Sequence, residues 1–204
     1  MNLPVLPFIS FLTDRQRNFF YFVAGQHGDQ KRKYTNDPYT NHLVDVAKLV
    51  FDHYNEPMAV EIALGHDVFE DPWVDMHPIE QAWRMFDALR ECGYDKWKAK
   101  IAVDGIFDLT DRYTSAEYPT WNREKRKSAE ADRLSTIPVR SYMVKCADMI
   151  HNTESIVEHD ENFAKVYLAE KQRILDARDM KGYTLYDMAV STLNESLVKI
   201  YVGE

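Results

Sequence analysis

The sequence predicts an all-α protein. Three observations carry this expectation: apolar residues recur at helical spacing in most segments, sustained period-2 alternation is absent, and only 7 of 204 residues are glycine. Apolar positions at i, i+3, i+4 and i+7 mark one face of a helix, whereas strands alternate and their tight turns draw on glycine. The architecture expected is a bundle of about eight helices.

The elements follow in order. A first helix is expected near 14–27, and its run Phe19, Phe20, Tyr21, Phe22 is most simply core. KRKYTNDPYTN (31–41) is a loop with Asn36, Asp37 and Pro38 as turn residues. Leu43, Val46, Ala47 and Val50 then take up helical spacing. Residues 58–70 are apolar almost all round, as suits a central helix packed on several sides, and Pro72 stops it just after Asp71. Ala82, Met85, Phe86 and Leu89 mark another helix, and 96–109 a further one. The stretch 110–133 is polar and reads as a loop leading into a solvated helix. Met143, Cys146, Ala147 and Ile150 mark the next helix, followed by 161–176 and 185–201. The length suits one domain, 1–178, with 179–204 as a C-terminal helical extension of it. Leu185, Met188, Ala189, Leu193, Leu197 and Ile200 fall on one side of that last helix. They would cap the core or pair with a second subunit in a homo-oligomer.

Composition narrows the function. A formal net charge of −8 argues against broad nucleic-acid binding, which needs a basic surface. It leaves room for a small polyanion held by a metal and a few local Lys and Arg. Cys92 and Cys146 match no zinc or redox spacing and read as free thiols of a reducing compartment. No run is long or apolar enough for a membrane span. The apolar start MNLPVLPFISFL lacks a basic leader and is broken by Pro4 and Pro7, so it is not read as a signal peptide. A cytoplasmic location is expected.

GHDVFED (65–71) raises the chemical question, because an imidazole and three carboxylates follow an apolar run. On a helix, His66 and Glu70, and Asp67 and Asp71, would be neighbours. The bland reading is a solvated helix end, and for an isolated HD pair that reading is the stronger. Two further segments shift the balance. DPYTNHLVDVAKLV puts His42 at the start of an amphipathic helix, and YMVKCADMIHNTESI puts Asp148 in an apolar one, where an aspartate needs a partner. The set His42, His66, Asp67 and Asp148 suits a first-row divalent ion, and its carboxylates favour Mn²⁺ over soft-ligand metals. Glu70 and Asp71 would remain free to handle a water proton.

The order H…HD…D resembles the HD-domain metal-dependent phosphohydrolases. AGQHGDQKRKYTNDPYTNH (24–42), GHDVFED (65–71), VDGIFDLT (103–110) and VKCADMIHNTESI (144–156) are similar, in order, to the hydrolase domain of the RelA/SpoT family and to single-domain small alarmone hydrolases. The resemblance covers about residues 14–178. It implies an HD-domain bundle that removes the 3′ pyrophosphate of guanosine tetra- and pentaphosphate. It implies His42, His66, Asp67 and Asp148 as metal ligands, and Glu70 with Asp71 as the acidic pair that activates water. Asn152 matches an asparagine of the family's substrate pocket, Arg32 and Lys33 a basic pair near the bound nucleotide, and Lys145 a family lysine; Lys31, Arg32, Lys33 and Lys145 are the candidates for phosphate charge. Departures are present: Leu43 stands where the family has proline. The family's H-N-M-R-T becomes His151, Asn152, Thr153, Glu154, Ser155, so that Ser155 replaces a threonine of the pocket. The segment 111–137 matches poorly. These departures keep two alternatives open, namely an HD phosphohydrolase for another nucleotide (a 5′-nucleotidase or NADPH phosphatase) and a non-catalytic nucleotide-binding module. Nothing resembles a synthetase domain. His151 is expected to be structural rather than a ligand.

Overall fold

The computed structural model describes residues 9–70 and 78–202. Among them are nine helices: α1 (Asp14–His27), α2 (Tyr39–His53), α3 (Ala59–Gly65), α4 (Pro78–Glu91), α5 (Lys96–Leu109), α6 (Arg123–Leu134), α7 (Val139–His159), α8 (Glu161–Ala177) and α9 (Thr184–Val202). The described residues form no strand beyond an isolated bridge between Lys31 and Pro38. This is an all-α bundle, one helix richer than the eight expected.

Helix starts follow local side-chain chemistry. Thr13 accepts from the Gln16 amide while the Gln16 side chain accepts from the Thr13 amide. Asp95, Asn122 and Asp160 each accept from the backbone amide three residues on, starting α5, α6 and α8. Such caps satisfy amides that the first helical turn leaves unpaired.

Two helices position the site. All seven residues of α3 are buried, and α3 packs against α1, α2, α5 and α7. Where α3 crosses α5, glycines make the close approach possible. A Cβ on Gly65 would stand 2.6 Å from Ile106 Cδ1, and one on Gly105 would overlap Ile62 Cδ1. The 21-residue α7 touches α2, α3, α5, α8 and α9, and its middle is buried on every side. α9 lies against α7, α8 and α2, with Leu185, Ala189 and Leu193 buried.

Two expectations need correction. The helix expected over 58–70 ends at Gly65, and 66–70 are turns closed by Val68 N–H to Gly65 O at 3.1 Å and Glu70 N–H to Asp67 O at 3.0 Å. His66 and Glu70 are therefore not stacked on one helical face. The aromatic run also divides: Phe19 and Phe20 are buried, but Tyr21 is exposed, because successive residues of a helix cannot all face inward.

Candidate metal centre

His42 lies in the first turn of α2, His66 and Asp67 follow the last residue of α3, and Asp148 is midway along α7. Packing of α2, α3 and α7 brings the four together. His66 Nε2 is 3.2 Å from His42 Nε2, 3.1 Å from Asp67 Oδ2 and 3.6 Å from Asp148 Oδ1. His42 Nε2 is 3.5 Å from Asp67 Oδ2 and 3.4 Å from Asp148 Oδ1. Bonds of about 2.1 Å to a tetrahedral ion put neighbouring donors about 3.4 Å apart. His42, His66 and Asp67 thus form a cluster that could hold one metal ion, and Asp148 Oδ1 stands beside both of its imidazoles.

Proton placement agrees with that fit. His66 Nδ1 is 2.7 Å from Ala63 O, a carbonyl that can only accept. Nδ1 therefore carries hydrogen, and the Nε2 lone pair is available to the cluster. Two imidazole nitrogens facing two carboxylates can share either a cation or a proton. Burial alone would lower the His66 pKa, but Asp67 and Asp148 raise it to about 10. Burial would raise Asp67 and Asp148, yet the neighbouring cationic groups, His66 for Asp67 and Lys145 for Asp148, hold both carboxyls well below the usual range.

Further contacts orient the carboxylates. Tyr39 OH donates to Asp67 Oδ2 at 2.5 Å. Lys145 Nζ donates to Asp148 Oδ2 at 2.9 Å, and Asn152 Nδ2 to Asp148 Oδ1 at 2.5 Å. Arg32 Nη2 donates to Asn152 Oδ1 at 2.7 Å, which fixes the amide so that its NH₂ faces Asp148. Arg32, Asn152 and Asp148 thus form one chain running from the loop 31–38 into the cluster. Glu70 sits at the mouth of the site, where its Oε1 accepts from the Asp111 amide at 2.9 Å. Desolvation by the surrounding protein, and then the Asp67 charge, push its carboxyl up to about 7 against the pull of Lys145.

The remaining expected residues are more dispersed. Lys31 is exposed at the bridge to Pro38. Lys33 turns toward the junction of α7 and α8, 3.8 Å from Asp160 Oδ2 and over the Tyr34 ring. Ser155 lines a 260 Å³ cavity beside His42, together with Arg32, Asp37, Glu154, Glu158 and His159. Asp71 lies outside the described residues.

Several neighbours of the site were not singled out from the sequence. Tyr39 is one, and its signal was present in the DPYTNH motif. Lys127 pairs with Asp111 at 2.5 Å on the Glu70 side. Lys171 of α8 lies close enough to Lys145 and Lys127 that burial and their charges lower its pKa to about 8. Nothing local in the sequence ties α6 and α8 to the cluster; only the tertiary packing does so.

No protein-family model matches the chain. Curated relatives do. The probable GTP diphosphokinase RSH2, chloroplastic, of Oryza sativa subsp. japonica is 28% identical over 142 residues, covering 67% of this chain and 18% of that protein. The GTP pyrophosphokinase rsh of Brucella ovis is 26% identical over 143 residues, covering 67% of this chain and 16% of that protein. The chain therefore spans less than a fifth of the length of these relatives. A solved structure described as a metazoan ortholog of SpoT that hydrolyzes ppGpp superposes with a TM-score of 0.68 over 90% of this chain and 96% of that one, at 16% identity. The likeness to RelA/SpoT enzymes that the motifs carry thus extends over two thirds of the chain in sequence. In fold it extends over nearly all of it.

Proposed function

We propose that this protein is a divalent-metal-dependent phosphohydrolase of the RelA/SpoT hydrolase type, acting on guanosine tetra- and pentaphosphate and releasing pyrophosphate with GDP or GTP. The observation that carries the proposal is the clustering of the His42, His66 and Asp67 donor atoms, with Asp148 Oδ1 3.4 and 3.6 Å from the two imidazoles and Glu70 at the mouth. Likeness to a SpoT ortholog that hydrolyzes ppGpp supports the substrate class.

Mn²⁺ held by those four residues would acidify a water and polarise a phosphoryl oxygen. The chain's own groups do the rest. Glu70 orients the attacking water and accepts its proton, with Asp71 as its acidic partner, and a carboxyl pushed up to about 7 is suited to that exchange near neutral pH. Lys145, already against Asp148, offsets charge on the equatorial phosphate oxygens, with Lys31, Arg32 and Lys33 as further cations at the entrance. Asn152 holds Asp148 in place, and Ser155 faces the nucleotide from the neighbouring cavity. We read 179–204 as an extension of the same domain, a reading that the packing of α9 (Thr184–Val202) along α7 supports. No helix among the described residues is long and apolar enough to cross a membrane, and Cys92 and Cys146 are free thiols. We place the protein in the cytoplasm, as a homo-oligomer or a monomer.

A second reading has its own support. The cavity beside His42 carries Asp37, Asp45, Glu154 and Glu158 against a single arginine, Arg32. That acidic lining disfavours a highly charged polyphosphate and, with the departures at 153–155, supports a different nucleotide at the same metal centre, such as a 5′-nucleotide or NADPH on the strength of the departures alone. Product analysis decides between them. Metal-stripped protein is given guanosine tetraphosphate, NADPH and the 5′-nucleotides with and without Mn²⁺. Mn²⁺-dependent GDP and pyrophosphate are expected. Turnover of only another nucleotide would keep the centre and replace the substrate, whereas none with any would leave a binding module.

A further inference from the structure

His42 has a second ring nitrogen, and its surroundings are specific. His42 Nδ1 is 2.9 Å from His151 Nδ1, and the two ring centroids are 4.8 Å apart. The other nitrogen of His151, Nε2, is 3.2 Å from Asp45 Oδ2. His42 and Asp45 are on α2 and His151 is on α7, so the chain of contacts ties together the two helices that supply His42 and Asp148.

The proton positions along this chain follow from its inner end. His42 Nε2 faces His66, Asp67 and Asp148, and must present a lone pair there to bind a cation. Its hydrogen is then on Nδ1, and the only way to form the 2.9 Å contact is for His151 Nδ1 to accept. A neutral imidazole that accepts at Nδ1 carries its hydrogen at Nε2. His151 Nε2–H points at Asp45, a carboxylate able only to accept. One tautomer at each ring satisfies every contact. His66 reaches the same end differently, using a backbone carbonyl as its acceptor. The outer partner of a metal-binding imidazole sets its tautomer and orientation, and losing such a partner commonly weakens metal binding 10–100-fold.

We propose that His151 and Asp45 are positioning residues that hold His42 in the Nδ1–H tautomer, with its Nε2 lone pair aimed into the metal centre. This rests on the metal site proposed above, but not on its substrate. Neither residue is among the proposed ligands. Asp45 is half-exposed at the cavity beside His42, so the acceptor that fixes a fully buried ligand stands at the surface.

The test reads Mn²⁺ affinity and ring tautomer rather than turnover. Calorimetric Mn²⁺ titrations would be run on the intact protein and on His151→Phe, Asp45→Ala, Asp45→Asn and the double variant His151→Phe/Asp45→Ala. Thermal melting of each metal-stripped variant reports folding. The expected results are about 10–100-fold weaker binding for His151→Phe, a smaller loss for Asp45→Ala, and no further loss in the double variant. Asp45→Asn keeps an acceptor without the charge, and is expected to bind like the native protein. Long-range ¹⁵N spectra are expected to show His151 protonated at Nε2 alone. Four results would each overturn the proposal: unchanged affinity in His151→Phe, additive losses, Asp45→Asn as weak as Asp45→Ala, or His151 protonated at Nδ1. If a variant fails to fold, the tautomer of the native protein still decides. A native protein that hydrolyses no guanosine tetraphosphate but shows these affinities would retire the substrate and keep the couple.

Discussion

Two stretches of α7 differ in how tightly they are determined. In the middle of the helix, Asp148 is buried and both of its oxygens accept hydrogen bonds, from Lys145 and Asn152. Further toward its C-terminus, Glu154 and Ser155 line an open cavity with Asp37, Asp45 and Glu158. In the first region each polar group has a defined partner, as burial demands. In the second, water can satisfy what the protein does not. The motif resemblance to RelA/SpoT hydrolases holds at His42, His66, Asp67 and Asp148 and departs at Leu43 and at 153–155. A buried donor cluster tolerates little change, while a solvated cavity can change its ligand by single substitutions.

Breaking the buried stretch has the largest expected effect. Asp148→Ala removes a metal ligand and leaves Lys145 buried without its carboxylate. Breaking a buried pair costs about 3–5 kcal/mol. Loss of both Mn²⁺ binding and turnover is expected, with a lower unfolding free energy in denaturant titration; native-like Mn²⁺ affinity would remove Asp148 from the site. Glu70→Gln comes next. It is expected to keep Mn²⁺ affinity while turnover falls about 10²–10⁴-fold, the range of a lost general base; unchanged turnover would dismiss that role. Gly105→Ala tests the packing beneath the cluster. Its methyl would overlap Ile62, so a loss of about 1–3 kcal/mol is expected in the same denaturant experiment.

A pH effect sharpens the contrast. With metal removed, His66 holds a proton up to about pH 10, while Asp67 and Asp148 stay ionised far below neutrality. A cation must displace that proton. Mn²⁺ binding at pH 7–8 is expected to release about one proton, and affinity to rise about tenfold per pH unit in that range. Calorimetry in two buffers of different ionisation enthalpy measures the release; proton uptake would contradict it. At the open cavity, Glu154→Gln is expected to do least, altering KM for the nucleotide a few-fold without touching Mn²⁺ affinity.

Much of this architecture is legible in the sequence, and the rest is absent from it for physical reasons. Helices expected at 14–27, 96–109, 161–176 and 185–201 correspond to α1, α5, α8 and α9, because apolar periodicity and capping residues such as Asp95 and Asp160 act locally. The helix expected over 58–70 failed at its end. His66 turns its Nδ1–H back to Ala63 O, and apolar composition alone could not reveal that stop. Motif order points to four donor residues; the structure clusters His42, His66 and Asp67, with Asp148 Oδ1 3.4 Å from His42 Nε2. Tyr39 against Asp67 and His151 against Asp45 join residues 28 and 106 positions apart. Such pairings arise from helix packing, which no local pattern encodes.

The proposed centre has His42, His66, Asp67 and Asp148 binding one ion. Crystals soaked in Mn²⁺ and measured for anomalous scattering at the manganese edge test it most directly. A single strong peak within about 2.0–2.4 Å of His42 Nε2, His66 Nε2 and one oxygen each of Asp67 and Asp148 is expected, at usual metal–ligand distances. No peak there, or a peak bound by other residues, would contradict it.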